Sequence, residues 1–415
     1  MAPDPRNPGP GTARRWLVFD PGLREVASHH PPAALAIRRE ATRRGLDLHI
    51  FGHRDLDAAM AAEIGAVPHF RFHSYAVPYG DPVAGSLSAF VRGLVRIERD
   101  LLALPVGRMG PDDVVLWPTV HAWELMATAR VIARMPRDRQ PRLAATFHVA
   151  NELFRSNPDP QEVSRASNRL AGVELARKTD AGRVALLALA PGLAEALSRL
   201  YDRQVDVAPS PSAIDLLAGT EPPAAARRSD GQPRIAFPGI PRREKRADLM
   251  PAFVAAIAER LPRSPIFVQT DEIGSDRRPV PPMPPREGLS VHLGPLRHDE
   301  MMDVYRRSAI VVLPHHPVAY RNRTSGIFIE AVAAGCVLVV ARGSSMADQI
   351  EGGLAVGMVA ASPEPAAFAA AAARAAADLD RLSAAAAIAA ARWQRHHGVG
   401  PWLDRVAAAL GIDPS

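Results

Sequence analysis

The sequence predicts an α/β protein made of two doubly wound, Rossmann-like domains. Three observations carry this. The 415 residues are long for one domain and natural for two. Short apolar runs alternate with helical patterns along most of the chain, which argues for parallel sheets covered by helices on both faces. A polar stretch rich in Pro and Ala, "GTEPPAAARRSDGQP" from Gly219 to Pro233, has linker composition and divides the pattern into similar halves. The expected organisation is a disordered tail over residues 1–14, a first domain over 15–215, a linker over 216–233 and a second domain over 234–394. A C-terminal helix within 395–413 is expected to pack back on the first domain, docked by Trp393 and Trp402.

The first half opens with the strand "RRWLVFD", the long loop "PGLREVASHHPP", a helix over Ala33 to Arg44 stopped by Gly45, and the strand "LDLHIFG". Strand "DDVVLWP", helix "AWELMATARVIARM", strands "RLAATFH" and "RVALLALA", helix "GLAEALSRLY" and strand "QVDVAPS" follow. The second half repeats the rhythm. Strand "RIAFPG", helix "ADLMPAFVAAIAERL" and strand "PIFVQT" lead into a Pro-rich loop ending at Glu287. Strand "LSVHLGPL", helix "DEMMDVYRRS", strand "AIVVLP" and an Ala-rich helical region over 363–392 complete it. Ligands of such sheets sit beyond the carboxyl ends of the strands, so a central cleft between the two halves is the expected site.

Composition narrows the function. No run of eighteen uncharged apolar residues occurs, so no membrane span is expected. The N-terminus "MAPDPRNPGPGTARR" lacks the apolar core of a signal peptide, and the single Cys336 allows neither an internal disulfide nor a multi-cysteine metal site; a cytoplasmic protein is expected. The net charge is +6, yet only two basic residues, Lys178 and Lys245, are lysines. The arginines are scattered, with no basic stripe and no interleaved aromatics, which speaks against nucleic acid and leaves a weak peripheral contact with an anionic membrane face as the more natural use of the charge.

One stretch carries most of the chemistry: "RNRTSGIFIEAVAAGCVLVVARGSS", Arg321 to Ser345. Thr324 and Ser325 are both good N-caps, so a helix is expected to start there, directly after the loop that leaves the strand ending at Pro314. The free amides of that helix start form an anion site, and Gly326 removes a side chain where a ligand would approach. Glu330 lies one turn in, on the same side as Ile327, Ala331 and Ala334, so the apolar face is the one that holds the acid. It either complements the helix dipole, worth under about 1 kcal/mol, or accepts the hydroxyls of a ribose beside a diphosphate at the helix start. The second reading explains both its position and its orientation.

Together, "LRHDEMMDVYRRSAIVVLP" and "SGIFIEAVAAGCVLVVA" resemble the nucleotide-sugar half of GT-B fold glycosyltransferases, in particular the retaining family-four type. "FPGIPRREKRADLMPAF" is similar to that family's glycine- and lysine-containing segment after the first strand of the same half, while the first half matches in order rather than wording. The resemblance implies transfer of a sugar from a nucleoside-diphosphate sugar to an acceptor (a glycan, a lipid-linked glycan or a small molecule), with retention and without a cofactor. It implies Glu330 at the ribose and Lys245 at the diphosphate, with Arg242 or Arg243 at the family's Arg. The donor set it suggests adds Gly239, Arg323, Thr324, Ser325, Gly326 and Ile327. The family's first glutamate, eight positions ahead of Glu330, is replaced by Asn322, which can bond a sugar hydroxyl but supplies no negative charge.

In the first half, His121 and His148 fall in loops that resemble family histidines near the sugar, and they join Asn322 as the candidate catalytic residues, with Glu124 and Glu152 placed to orient the two rings. His29, His30, His315 and His316 also fall in loops after strands. No metal is required on this reading, since Lys245 and a neighbouring arginine would neutralise the leaving diphosphate. The nearest approach to an Asp-x-Asp metal motif, at Asp55 to Asp57 and Asp378 to Asp380, is expected inside helices. Two other readings are open: a non-catalytic GT-B nucleotide-sugar-binding protein, which Asn322 favours, and a GT-B sugar-nucleotide epimerase, which needs an acid and a base around the sugar.

Overall fold

The computed structural model describes residues 14–24, 29–73, 83–104, 109–148, 158–212, 214, 227–274 and 278–413. The chain divides into two compact units, Met1–Pro211 with Val399–Ser415, and Ser212–Gly398. Most of the tail and Glu152 lie outside the described residues, as does most of the linker.

The first unit is built on a seven-stranded sheet: β1 (Arg15–Phe19), β2 (Asp47–His53), β3 (Ala66–Phe70), β4 (Val114–Trp117), β5 (Arg142–Phe147), β6 (Val184–Ala188) and β7 (Asp206–Val207). Their order across the sheet is β3-β2-β1-β4-β5-β6-β7, and every pairing is parallel. Helices α1 (His30–Arg44), α2 (Ala58–Ile64), α3 (Val83–Leu102), α4 (Ala122–Ile132), α5 (Pro158–Lys178) and α6 (Pro191–Tyr201) connect the strands. The central strands are apolar on both faces, as strands must be when helices cover both sides: every residue of β4 and of β6 is buried.

Sequence pattern left part of this unit unread. Strand β3, "AVPHF", has a Pro and a His among only five residues, and α2 and α3 fill the gap between it and β4. Helix α5 packs on α4, which is itself almost wholly buried. Helix α1 starts at His30, earlier than Ala33, because Pro31 and Pro32 occupy its first positions, where a missing amide costs nothing. Asp55 to Asp57 are not helical: they form the turn after β2, and the Asp57 side chain caps α2 by accepting from the Met60 amide. Asp378 sits at the break between two helices, not inside one.

The second unit begins with a small antiparallel hairpin of β8 (Arg228–Ser229) and β9 (Gln232–Pro233), where a featureless linker was expected. Asp230 and Gly231 at its tip both have positive φ, which a tight turn of this sort demands. The six-stranded sheet contains β10 (Ile235–Phe237), β11 (Ile266–Thr270), β12 (Leu289–Leu293), β13 (Ile310–Leu313), β14 (Val337–Ala341) and β15 (Gly357–Ala360). Its order is β12-β11-β10-β13-β14-β15, again all parallel. Helices α7 (Met250–Arg260), α8 (His298–Arg307), α9 (Gly326–Ala333), α10 (Ser345–Glu351), α11 (Pro365–Ala377) and α12 (Leu379–His396) pack on it. Both sheets therefore reverse direction beside their first strand, and that switch point opens a crevice at the carboxyl ends.

The last helix, α13 (Val399–Leu410), belongs to the first unit, where it contacts α1, β5 and β6. The Trp402 side chain is fully buried, and its indole N–H donates to Thr146 Oγ1 at 3.2 Å. Trp393 takes no part in this docking. It is buried in the second unit, edge-on to Phe328 at 6.0 Å. Truncation of Trp402 to Ala should cost the first unit about 3–5 kcal/mol, the range for a large buried aromatic. Thr146→Val, which removes only the hydrogen-bond partner, should cost about 1–3 kcal/mol. Equilibrium urea unfolding of the two variants checks the ranking.

Candidate functional site

At the switch point of the second sheet three chain segments meet. The first leaves β10 and turns at Gly239, whose φ is 106°. That backbone conformation favours glycine, and a Cβ there would lie 2.1 Å from Ile327 Cδ1 and 2.9 Å from Lys245 Nζ, so it would also displace both side-chain ends. The Gly239 amide donates to Gln269 Oε1 at 2.6 Å, and Gln269 Nε2 donates to the Gly294 carbonyl at 3.0 Å. Gln269, buried at the end of β11, thus fixes the loop, a role that its place in the apolar strand "PIFVQT" did not reveal.

The second segment is the short turn "REK" at Arg243–Lys245. It carries Lys245 inward, while Arg243 points to solvent. Burial lowers Lys245 to about 7, and the nearby Arg242 and Arg323 push the same way. Burial alone would raise Glu244, but Arg323, Arg242 and Lys245 hold its carboxyl below the usual carboxylate range. Glu244 lies 3.4 Å from Arg323 and 3.9 Å from Arg242, and its carbonyl accepts from the His316 amide. Glu244 is therefore the hub of the cationic cluster, and sequence inspection passed over it between its basic neighbours.

The third segment runs from β13 to α9. Ser325 is the N-cap, its Oγ accepting from the Phe328 amide at 3.4 Å. Beyond its chain neighbours and its own helix, nothing among the described residues lies within 4 Å of a Cβ placed on Gly326, so a ligand can approach the backbone there. Arg323 stacks on Tyr320, its guanidinium carbon 4.8 Å from the ring centre, and its carbonyl accepts from Ser345 Oγ. His315 is buried with Nε2 3.4 Å from Ser325 Oγ. Burial, reinforced by Lys245, Arg323 and Arg242, holds the His315 ring neutral. His315 Nδ1 and Arg242 Nε are buried with no hydrogen-bond partner among the described residues. Asn322 and Thr324 are half-buried beside Arg323, in the loop that enters α9.

Glu330 lies one turn into α9. Burial raises its carboxyl to about 7, opposed by a hydrogen bond from Tyr305 and by Lys245. Tyr305 Oη donates to Glu330 Oε2 at 2.9 Å. The structure therefore brings Gly239, Arg242, Lys245, Arg323, Thr324, Ser325, Gly326, Ile327 and Glu330 to the loops and helix start at the carboxyl end of the second sheet. Three cations, Lys245, Arg242 and Arg323, act with two carboxylates, Glu244 and Glu330. The excess of positive charge and the free helix amides suit an anion.

His121 and His148 belong to the first unit. His121 is the N-cap of α4. Its ring and its amide both bond Glu124 Oε2, at 3.1 Å and 2.8 Å, and the ring stacks on Trp123 at 4.7 Å. The His121 side chain is only 1% exposed, so its main contacts are with the start of its own helix. His148 follows β5 and is half-buried, its Nε2 without a partner among the described residues. Burial, with His30 adding to it, lowers His148 to about 4, so the ring is neutral at physiological pH. His29 stacks on it at 6.0 Å, and His30 Nδ1 lies 2.9 Å from Asp20.

Residues 253–408 match a family model described as "Glycosyl transferase-like". Among solved structures, the sucrose-phosphate synthase (tll1590) from Thermosynechococcus elongatus aligns with a TM-score of 0.61 at 12% identity, covering 96% of this chain and 98% of that one. The chain has the GT-B glycosyltransferase fold. A glycosyltransferase from Rickettsia africae ESF-5 aligns with a TM-score of 0.63 at 11% identity, covering 97% of this chain and 100% of that one. Anabaena Alr3699/HepE in complex with UDP aligns with a TM-score of 0.60 at 12% identity, covering 96% and 99% of the two chains. Compared with curated protein sequences, the chain has no match.

Two predictions rest on this geometry. Sulfate, whose charge does not change near neutrality, needs Lys245 protonated; its affinity should fall as pH rises through about 7. A nucleoside that bonds the Glu330 carboxylate should bind more tightly as pH rises through about 7. Calorimetric titrations across this range read both signs. Gly239→Ala should cost about 1–3 kcal/mol for the backbone conformation alone, and it should displace Lys245; thermal melting together with sulfate binding measures both.

Proposed function

We propose that this protein is a glycosyltransferase whose second unit binds a nucleoside-diphosphate sugar. One observation carries the reading: Lys245 and Glu330, of opposite charge type, are both half-buried close to each other beside the start of α9. Taking either charge even partly out of water costs free energy that an apolar residue would not. A nucleoside diphosphate supplies a use for both. Its phosphates would take Lys245, Arg242, Arg323 and the α9 amides, and its ribose hydroxyls would take Glu330. The solved structure of Anabaena Alr3699/HepE in complex with UDP-glucose, a GT-B neighbour at 11% identity, is consistent with a donor of this class.

In the reaction, the bond between the sugar and the diphosphate breaks and negative charge grows on the leaving phosphate oxygen. Lys245 and the arginines are already aimed at that charge, so a divalent ion has no required place. Asn322 is the candidate for a hydrogen bond to the transferred sugar. Retention follows from the resemblance to the family-four type, and the first unit, with His148 and His121, would serve the acceptor. A non-catalytic nucleotide-sugar-binding protein is the second reading, favoured by Asn322 where that family has a glutamate.

The test is a panel of nucleotide sugars assayed for binding by thermal shift and for transfer or hydrolysis, with and without excess EDTA. Transfer or hydrolysis that survives EDTA is expected. Binding without turnover would select the second reading, and an epimerised donor would replace both. Glu330→Ala should weaken free nucleoside and nucleotide alike, whereas Lys245→Ala should spare the nucleoside and weaken the diphosphate. Each loss should be roughly ten- to a hundredfold. Unchanged nucleotide affinity in both variants would refute the site.

A further inference from the structure

We propose that Tyr305 is a positioning residue of the nucleotide site: its hydroxyl holds one oxygen of Glu330 so that the rest of the carboxylate is presented to the ribose. The inference rests on the ribose reading of Glu330. Tyr305 lies near the end of α8, with its side chain fully buried. Its neighbours are apolar: Met302, Val311, Leu313, Phe328 and Ile329 belong to the same cluster. Packing there asks only for an aromatic ring, and a phenylalanine would fill the space. The hydroxyl needs its own explanation, and it has one partner, Glu330 Oε2, at 2.9 Å. Burial, and the neighbouring Glu330 charge, raise the Tyr305 phenol well above its ordinary range, so it stays protonated and acts only as donor.

Glu330 has no other side-chain hydrogen bond among the described residues. It sits on a helix whose buried positions are apolar, so the Tyr305 hydroxyl supplies the hydrogen bond that directs its carboxylate. A carboxylate has about four lone-pair sites. One bond from Tyr305 fixes Oε2 and leaves Oε1 and the remaining lone pairs for a ligand. The two residues are twenty-five positions apart and on different helices, so their contact also ties the α8 end to the ligand-facing side of α9.

The experiment uses the full chain, with UDP, GDP, ADP, the three parent nucleosides and sulfate as probes. Tyr305→Phe should weaken the nucleotide that the wild type binds best, and its nucleoside, by about tenfold. Sulfate binding should not change. Without the donor, the carboxylate is harder to ionise, so the pH midpoint of nucleoside binding should move up. Site-specific 3-fluorotyrosine, a stronger donor of nearly the same shape, should move the midpoint down; this arm stands even if Tyr305→Phe folds poorly. In a Glu330→Gln background the midpoint should vanish, and Tyr305→Phe should add nothing to it. An unmoved midpoint in both Tyr305 variants, or an equal loss of sulfate affinity, would overturn the proposal. If Glu330→Ala leaves nucleoside binding intact, or no nucleotide binds the wild type, the ribose reading itself fails and this inference falls with it.

Discussion

The absence of a side chain at Gly239 is the constraint on which the second unit's site depends. With φ at 106° and Ile327 and Lys245 both inside the volume of a methyl group, the loop after β10 can sit directly against the start of α9. Gln269 then locks the loop to the end of β11. The Lys245 ammonium lies against this loop and close enough to Glu330 for their charges to act on each other. A larger residue would strain the backbone and push the Lys245 ammonium from its place beside the Glu330 carboxylate.

The electrostatics suit the proposed binding of an anion. Partial withdrawal from water shifts the Lys245 amine down and the Glu330 carboxyl up, and a half-buried pair of this kind adds little to a protein's own stability. Three cations share two carboxylates, and buried nitrogens of His315 and Arg242 lack partners among the described residues. Each feature costs stability in the protein by itself, and each is relieved by an anion carrying hydroxyls. Stored cost of this kind is a common mark of functional positions, though structural ion networks also produce it.

Much of this was legible in the sequence, for physical reasons. Strands such as "AIVVLP" and "VVLW" are buried on both faces and read as continuous apolar runs, while Ser325 and Gly335 mark the ends of α9 by local chemistry. Glu330 stood out because an acid on an apolar helix face breaks the pattern. What stayed hidden depends on contacts distant in sequence. Tyr305 looks like an ordinary core aromatic of α8, and Gln269 like a polar residue at a strand end, until tertiary structure brings them to Glu330 and Gly239. Strand β3 escaped because the sheet edge needs little apolar content. His121 carried a functional signal by motif, and Glu124 holds its ring as the spacing of the two residues suggested, while the stacking on Trp123 appears only in the structure. No helix among the described residues is long and apolar enough to cross a membrane.

The measurement that bears most directly on the central claim is a crystal structure of the full chain with the nucleoside diphosphate it binds best. The expected result is ribose hydroxyls on the Glu330 carboxylate, with Tyr305 still donating to its other oxygen. Phosphate oxygens should lie within hydrogen-bond reach of Lys245 Nζ and the amides at the start of α9. A nucleotide bound with its phosphates away from Lys245, or with its ribose away from Glu330, would contradict the claim.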